Sequence, residues 1–72
     1  MNVLVFKTNI LNQRMVEYLS PLLAEHPEII NWSVDTEDVD KVLRIETNLD
    51  VSETEIIELV NAAGIACEVL KD

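Results

Sequence analysis

Apolar residues recur along this chain at strand spacing, then at helix spacing, then twice at strand spacing, then at helix and strand spacing again. Only a few folds bury six such stretches together. Residues 3 to 7 are apolar almost throughout, as in a strand covered on at least one face. Leu11, Met15, Tyr18, Leu19, Leu22 and Leu23 follow at helical spacing and mark one buried stripe, with Gln13, Arg14 and Glu17 opposite. Thr8 or Asn9 is expected to cap this helix by accepting a bond from a free first-turn amide. Pro21 falls inside it and removes one backbone bond. Because the stripe stays in phase through Leu22 and Leu23, one kinked helix is expected, ended by His26-Pro27.

Ile30, Trp32 and Val34 then alternate with Asn31, Ser33 and Asp35, which predicts a half-buried strand. Asp35-Thr36-Glu37-Asp38 reads as a turn. A second alternating run spans Val39 to Thr47 with Leu43 and Ile45 inward, so the two runs should pair as an antiparallel hairpin. The clearest local signal is Val51-Ser52-Glu53-Thr54-Glu55-Ile56: Ser52 and Glu55 have capping-box spacing, and Val51 can staple against Ile56. Ile56, Leu59, Val60 and Ala63 form the buried stripe of this helix, and Gly64 supplies the positive φ that ends it. Ile65 to Leu70 predicts a last strand, with Lys71-Asp72 fraying. The order strand, helix, strand, strand, helix, strand specifies an α+β ferredoxin-like fold. Both helices lie on one face of a four-stranded antiparallel sheet, with the second strand at an edge.

With 72 residues there is room for one core, so residues 1–72 are expected to form a single domain. The apolar fraction is 49% and the aromatic fraction 4%, so that core is built from Leu, Ile and Val. A lone cysteine, Cys67, cannot close an intramolecular disulfide. Together with the absence of a leader or spanning segment, this sets cytoplasmic as the expectation. Fourteen acidic residues against five basic ones give a formal charge of −9. Such a chain repels phosphate backbones and anionic lipid, which argues against nucleic-acid and membrane roles. The charge serves solubility first, and it would steer a protein partner with a basic surface. No nucleophile stands beside a base and no glycine-rich loop is present, so no enzyme is expected.

The pattern resembles the heavy-metal-associated domain, the fold of small copper chaperones and of soluble domains in metal-pumping ATPases. The resemblance covers nearly the whole chain. Trp32-Ser33-Val34-Asp35 looks like the family's Val-x-Val-Asp strand. Val51 to Ile56 and Ala62-Ala63-Gly64-Ile65 look like its second helix and the turn after it. In that family the first strand ends in a Gly-Met-Thr-Cys-x-x-Cys loop whose two thiolates bind a soft cation. Here the same register reads Phe6-Lys7-Thr8-Asn9-Ile10-Leu11-Asn12. Thr8 matches, but asparagines fall on both cysteine positions, Phe6 replaces the glycine and Lys7 the methionine. A carboxamide oxygen is a hard, neutral donor where monovalent copper and zinc prefer thiolate or imidazole. No metal and no other cofactor is therefore expected.

Lys7, Thr8, Asn9, Ile10 and Asn12 are the candidate contact surface, with Ile10 taken as an exposed apolar point, as family members use there against partners. Lys7, Asn9 and Asn12 could alternatively bind an anion at the helix start, although a capping Asn9 and a solvated Lys7 account for them more simply. Cys67 should point inward and behave as a small hydrophobe. His26, beyond the first helix, should lie at the opposite end from Asn9 as a cap or surface residue. Asp35, Glu37, Asp38 and Asp40 lack the spacing of a calcium loop. A non-catalytic interaction domain, monomeric or weakly dimeric, is the primary reading. The alternatives are a chaperone sharing a weak metal site across a dimer through Cys67, and a small-ligand regulatory domain resembling amino-acid-binding domains of the same fold.

Overall fold

Six elements follow the expected order in the computed structural model, which describes residues 2–48 and 51–70: β1 (Asn2–Thr8), α1 (Gln13–Ala24), β2 (Ile29–Asp35), β3 (Val42–Thr47), α2 (Glu53–Ala62) and β4 (Cys67–Val69). The strands form one antiparallel sheet in the order β2-β3-β1-β4, the ferredoxin-like plan. Leu4 lies opposite Ile45 and Phe6 opposite Leu43, so one face of β1 and β3 presents these side chains together. Phe6, Leu43 and Ile45 meet Leu19 and Leu23 of α1 and Ile56 and Val60 of α2 in one buried cluster, completed by Ile10 and Ile65 from the connecting loops. Burying each of these side chains is worth about 2 kcal/mol. Arg44 and Lys7 on the other face of the sheet are exposed.

The second helix follows its sequence signals closely. Ser52 is the N-cap, its hydroxyl accepting the Glu55 amide at 3.1 Å, and Gly64 ends the helix region with φ +80°. Glu55 does not turn its carboxylate back to Ser52, however. Its Oε2 lies 2.5 Å from His26 Nε2, while His26 Nδ1 accepts the Glu28 amide, so the neutral ring carries its proton on Nε2 and donates to Glu55. His26 thus ties the end of α1 to the start of α2, away from the β1–α1 loop.

Several expectations about element limits and faces are corrected. The first helix begins at Gln13 and is capped by Asn12, whose side chain accepts the Met15 amide at 3.1 Å, and not by Thr8 or Asn9. Starting the helix later turns its buried stripe. Leu19 and Leu23 are buried and Met15 and Val16 pack on the core, whereas Leu11 is 68% exposed and Tyr18 71%. As expected, α1 runs as one helix through Pro21; it stops at Ala24, with Glu25 as its C-cap. In β2 a bulge between Ile29 and Asn31 inserts Ile30 as an extra residue, so Ile29 packs inward and Ile30 is turned to solvent. β3 begins only at Val42, and Val39 belongs to the hairpin loop, where it is exposed. β4 is likewise shorter than Ile65–Leu70, although the Leu70 amide still donates to the Val5 carbonyl at 3.1 Å. Lys71-Asp72 lies outside the described residues.

Because the Asn12 side chain caps α1, Asn12→Ala is expected to cost about 1 kcal/mol. In a domain of this size that lowers the melting temperature by roughly 4–8 °C, readable by thermal unfolding monitored by circular dichroism.

Candidate functional site

Three loops gather where β1 ends: residues 9–12 before α1, 36–41 between β2 and β3, and 63–66 between α2 and β4. Thr8 is the joint between the first two. It is buried at the end of β1, its amide donates to the Asp40 carbonyl at 3.0 Å, and its hydroxyl donates to the Lys41 carbonyl while accepting the Ile10 amide at 3.2 Å. Asn9 joins the third loop, its Oδ1 accepting the Ala66 amide at 3.0 Å across 57 positions of sequence. Asn12 Oδ1 caps α1. Both carboxamide oxygens are therefore occupied by backbone N–H groups.

The hairpin loop holds its own shape. Asp35 Oδ1 accepts the amides of Glu37 and Asp38, Asp38 Oδ1 accepts that of Asp40, and Lys41 adopts φ +47° with its Nζ donating to the Thr36 carbonyl. The acidic set of this loop thus serves as turn chemistry. Among the described residues, no group of three or more His, Cys, Asp or Glu side chains is placed to hold a metal ion.

Lys7, which an anion site at the helix start would use, faces Asp40 with Nζ 3.8 Å from Oδ1. With that charge offset and the α1 N-terminus capped by Asn12, the loop offers an anion little. Ile10 is the clearest correction among the expected contact residues. It is fully buried, so it belongs to the core and not to the surface. The exposed apolar residue of the loop is its neighbour Leu11, and Val39, exposed on the hairpin loop, precedes the Asp40 and Lys41 that Thr8 binds. The late start of the helix, signalled by Asn12 standing three residues before Met15, is what could have distinguished the two positions.

A shallow concavity of about 310 Å³ opens beside this clasp, lined by Lys7, Thr8, Asn9, Ala66, Cys67 and Glu68. Cys67 pairs with Thr8 across β1 and β4 and is half-buried, packed against the core. Burial, together with the neighbouring Glu68 carboxylate, pushes its thiol up to about 11. Since the thiolate is the reactive form, native Cys67 should be alkylated by iodoacetamide at pH 8 roughly 100-fold more slowly than in the urea-unfolded chain. The ratio is checked by mass spectrometry of timed, quenched reactions.

No family model matches the sequence, and no curated protein matches it significantly. Solved structures do match. The yeast copper transporter domain CCC2A, known in apo and Cu(I)-loaded states, superposes with a TM-score of 0.82 at 14% identity, covering 100% of this chain and 99% of that one. The N-terminal domain of PacS from Synechocystis PCC6803 gives 0.80 at 12% identity, covering 99% and 100%. The first domain of the human copper chaperone for superoxide dismutase, in its copper(I)-loaded form, gives 0.78 at 22% identity, covering 96% and 90%. The chain has the fold of heavy-metal-associated domains. Likeness at such low identity speaks for that backbone plan alone. Among the described residues, no helix is long and apolar enough to cross a membrane.

Proposed function

We propose that this chain is a non-catalytic docking domain built on the heavy-metal-associated fold, one whose loop end meets a protein partner directly and carries no copper of its own. The observation that carries this reading is the use made of Asn9 and Asn12. On the resemblance they stand where metal-binding family members have cysteines, and here their oxygens already accept the Ala66 and Met15 amides. A soft cation would have to displace two backbone hydrogen bonds to gain two weak donors. The contact surface on this reading comprises Lys7, Asn9, Leu11 and Asn12 with Val39 from the hairpin loop. Leu11 takes the part first expected of Ile10. Glu37, Asp38 and Asp40 of the hairpin loop and Glu68 of β4 add negative charge at this end, which suits a partner with a basic surface. Residues 1–72 act as one cytoplasmic domain on this reading.

A metal shared between two copies through Cys67 is the weaker reading, because burial holds that thiol protonated. Titration with Cu(I) against a chromophoric chelator, and with Zn(II), both under reducing conditions, separates the readings. The proposal expects no uptake of either ion. Uptake abolished by Cys67→Ser would favour the shared site, and one-to-one uptake that survives Cys67→Ser would overturn both.

A further inference from the structure

A second surface lies between the two helices. Tyr18, Pro21 and Leu22 of α1 and Ala62 and Ala63 at the end of α2 line an apolar groove of about 290 Å³, enough for one large side chain. Tyr18 is 71% exposed although aromatic, and Pro21 and Ala62 are exposed beside it. Glu17 and Glu25 lie one helical turn either side of Pro21, and Glu58 one turn before Ala62, so exposed carboxylates border the groove along both helices. The charge on this layer is one-sided. α1, its C-cap and α2 hold Glu17, Glu25, Glu53, Glu55 and Glu58 against a single cation, Arg14. Three of the other cations lie on the sheet and hairpin loop with partners of their own: Lys7 with Asp40, Lys41 with the Thr36 carbonyl and Arg44 with Glu46.

From this juxtaposition we infer that the groove docks a basic amphipathic helix, one that inserts an aliphatic or aromatic side chain between Tyr18 and Ala62 while its Lys or Arg residues face Glu17, Glu25 and Glu58. Charge decides between this occupant and a second copy of the chain. Two such layers would bring like-charged carboxylates together, and the whole chain carries −9. A basic helix instead gains steering from the rim and burial from the floor. The rim contributes chiefly to encounter and salt sensitivity, and the groove floor to affinity.

The test uses the intact chain and two fluorescent synthetic helices of equal positive charge, each about four turns long. One is a Lys–Leu peptide with its leucines along a single face, and the other a Lys–Ser peptide. Anisotropy gives affinity and amide chemical-shift mapping gives location. The Lys–Leu peptide should bind at least about tenfold more tightly than the Lys–Ser peptide, shifting amides of Tyr18, Leu22, Ala62 and Ala63. Tyr18→Ser should weaken it by about tenfold, and Glu58→Lys should flatten its salt dependence. Both altered residues are exposed, so the spectra of the free variants should keep the native dispersion. Equal binding of the two peptides, or shifts centred on the sheet, would reduce the effect to general attraction by an acidic protein and overturn the inference. Concentration-dependent shifts at the same residues without peptide would assign the groove to a second copy, and overturn it equally.

Discussion

Replacing Ile10 by aspartate is expected to unfold the domain, while the same change one residue later, at Leu11, leaves it folded. Ile10 has no exposed surface and Leu11 is 68% exposed, although they are adjacent and similarly apolar. Removing the isoleucine from the core costs about 2–5 kcal/mol by itself. Placing a carboxylate there adds a desolvation penalty of several kcal/mol, or forces the group to take up a proton. A domain of this length has a total stability of about 4–10 kcal/mol, so the sum removes most or all of it. Far-ultraviolet circular dichroism with urea titration reads both variants. A cooperative, near-native transition for Ile10→Asp would show that the side chain is not where the core places it.

Thr8→Val carries the second largest expected effect, about 2–4 kcal/mol. The substitution preserves the shape of the side chain and its place at the end of β1. What it removes is a hydroxyl that donates to the Lys41 carbonyl and accepts the Ile10 amide. Each group left without a partner where water has poor access costs about 1–3 kcal/mol. The loss should appear as a lower urea midpoint at unchanged slope. Amide exchange should quicken at Ile10 and in residues 36–41, because Thr8 holds those loops to each other. A change below about 0.5 kcal/mol, the usual range for a surface substitution, would mean that water replaces the hydroxyl freely.

Periodicity identified all six elements and their order, and Ser52 and Gly64 marked the limits of the second helix because each satisfies a purely local requirement of the backbone. The errors arose where a single residue changes the phase of everything beside it. Thr8, Asn9 and Asn12 are all competent caps, and the choice among them rotates the first helix. With Asn12 as cap, Ile10 and Val16 turn inward and Leu11 and Tyr18 outward. Alternation puts Ile30 in phase with Trp32, but a bulge beside Ile29 gives β2 one residue more than its partner strand, which reverses its face. Glu55 has the spacing of a reciprocal cap, yet His26 captures its carboxylate from 29 positions away, a competition no local pattern reveals. The Asn9–Ala66 bond is of the same long-range kind.

That bond and the Asn12 cap lead to the most direct test of the docking reading. On it, the fold is that of cation carriers and the two asparagines occupy the donor positions, so exchanging both for cysteine should restore a site. Cu(I) competition titration of the Asn9→Cys/Asn12→Cys chain, run beside the unaltered chain, measures this. The account predicts one copper per chain held by the double variant with thiolate-to-copper absorption in the ultraviolet, and none held by the native sequence. Copper held tightly by the native chain, or a folded double variant that takes up no copper, would contradict it.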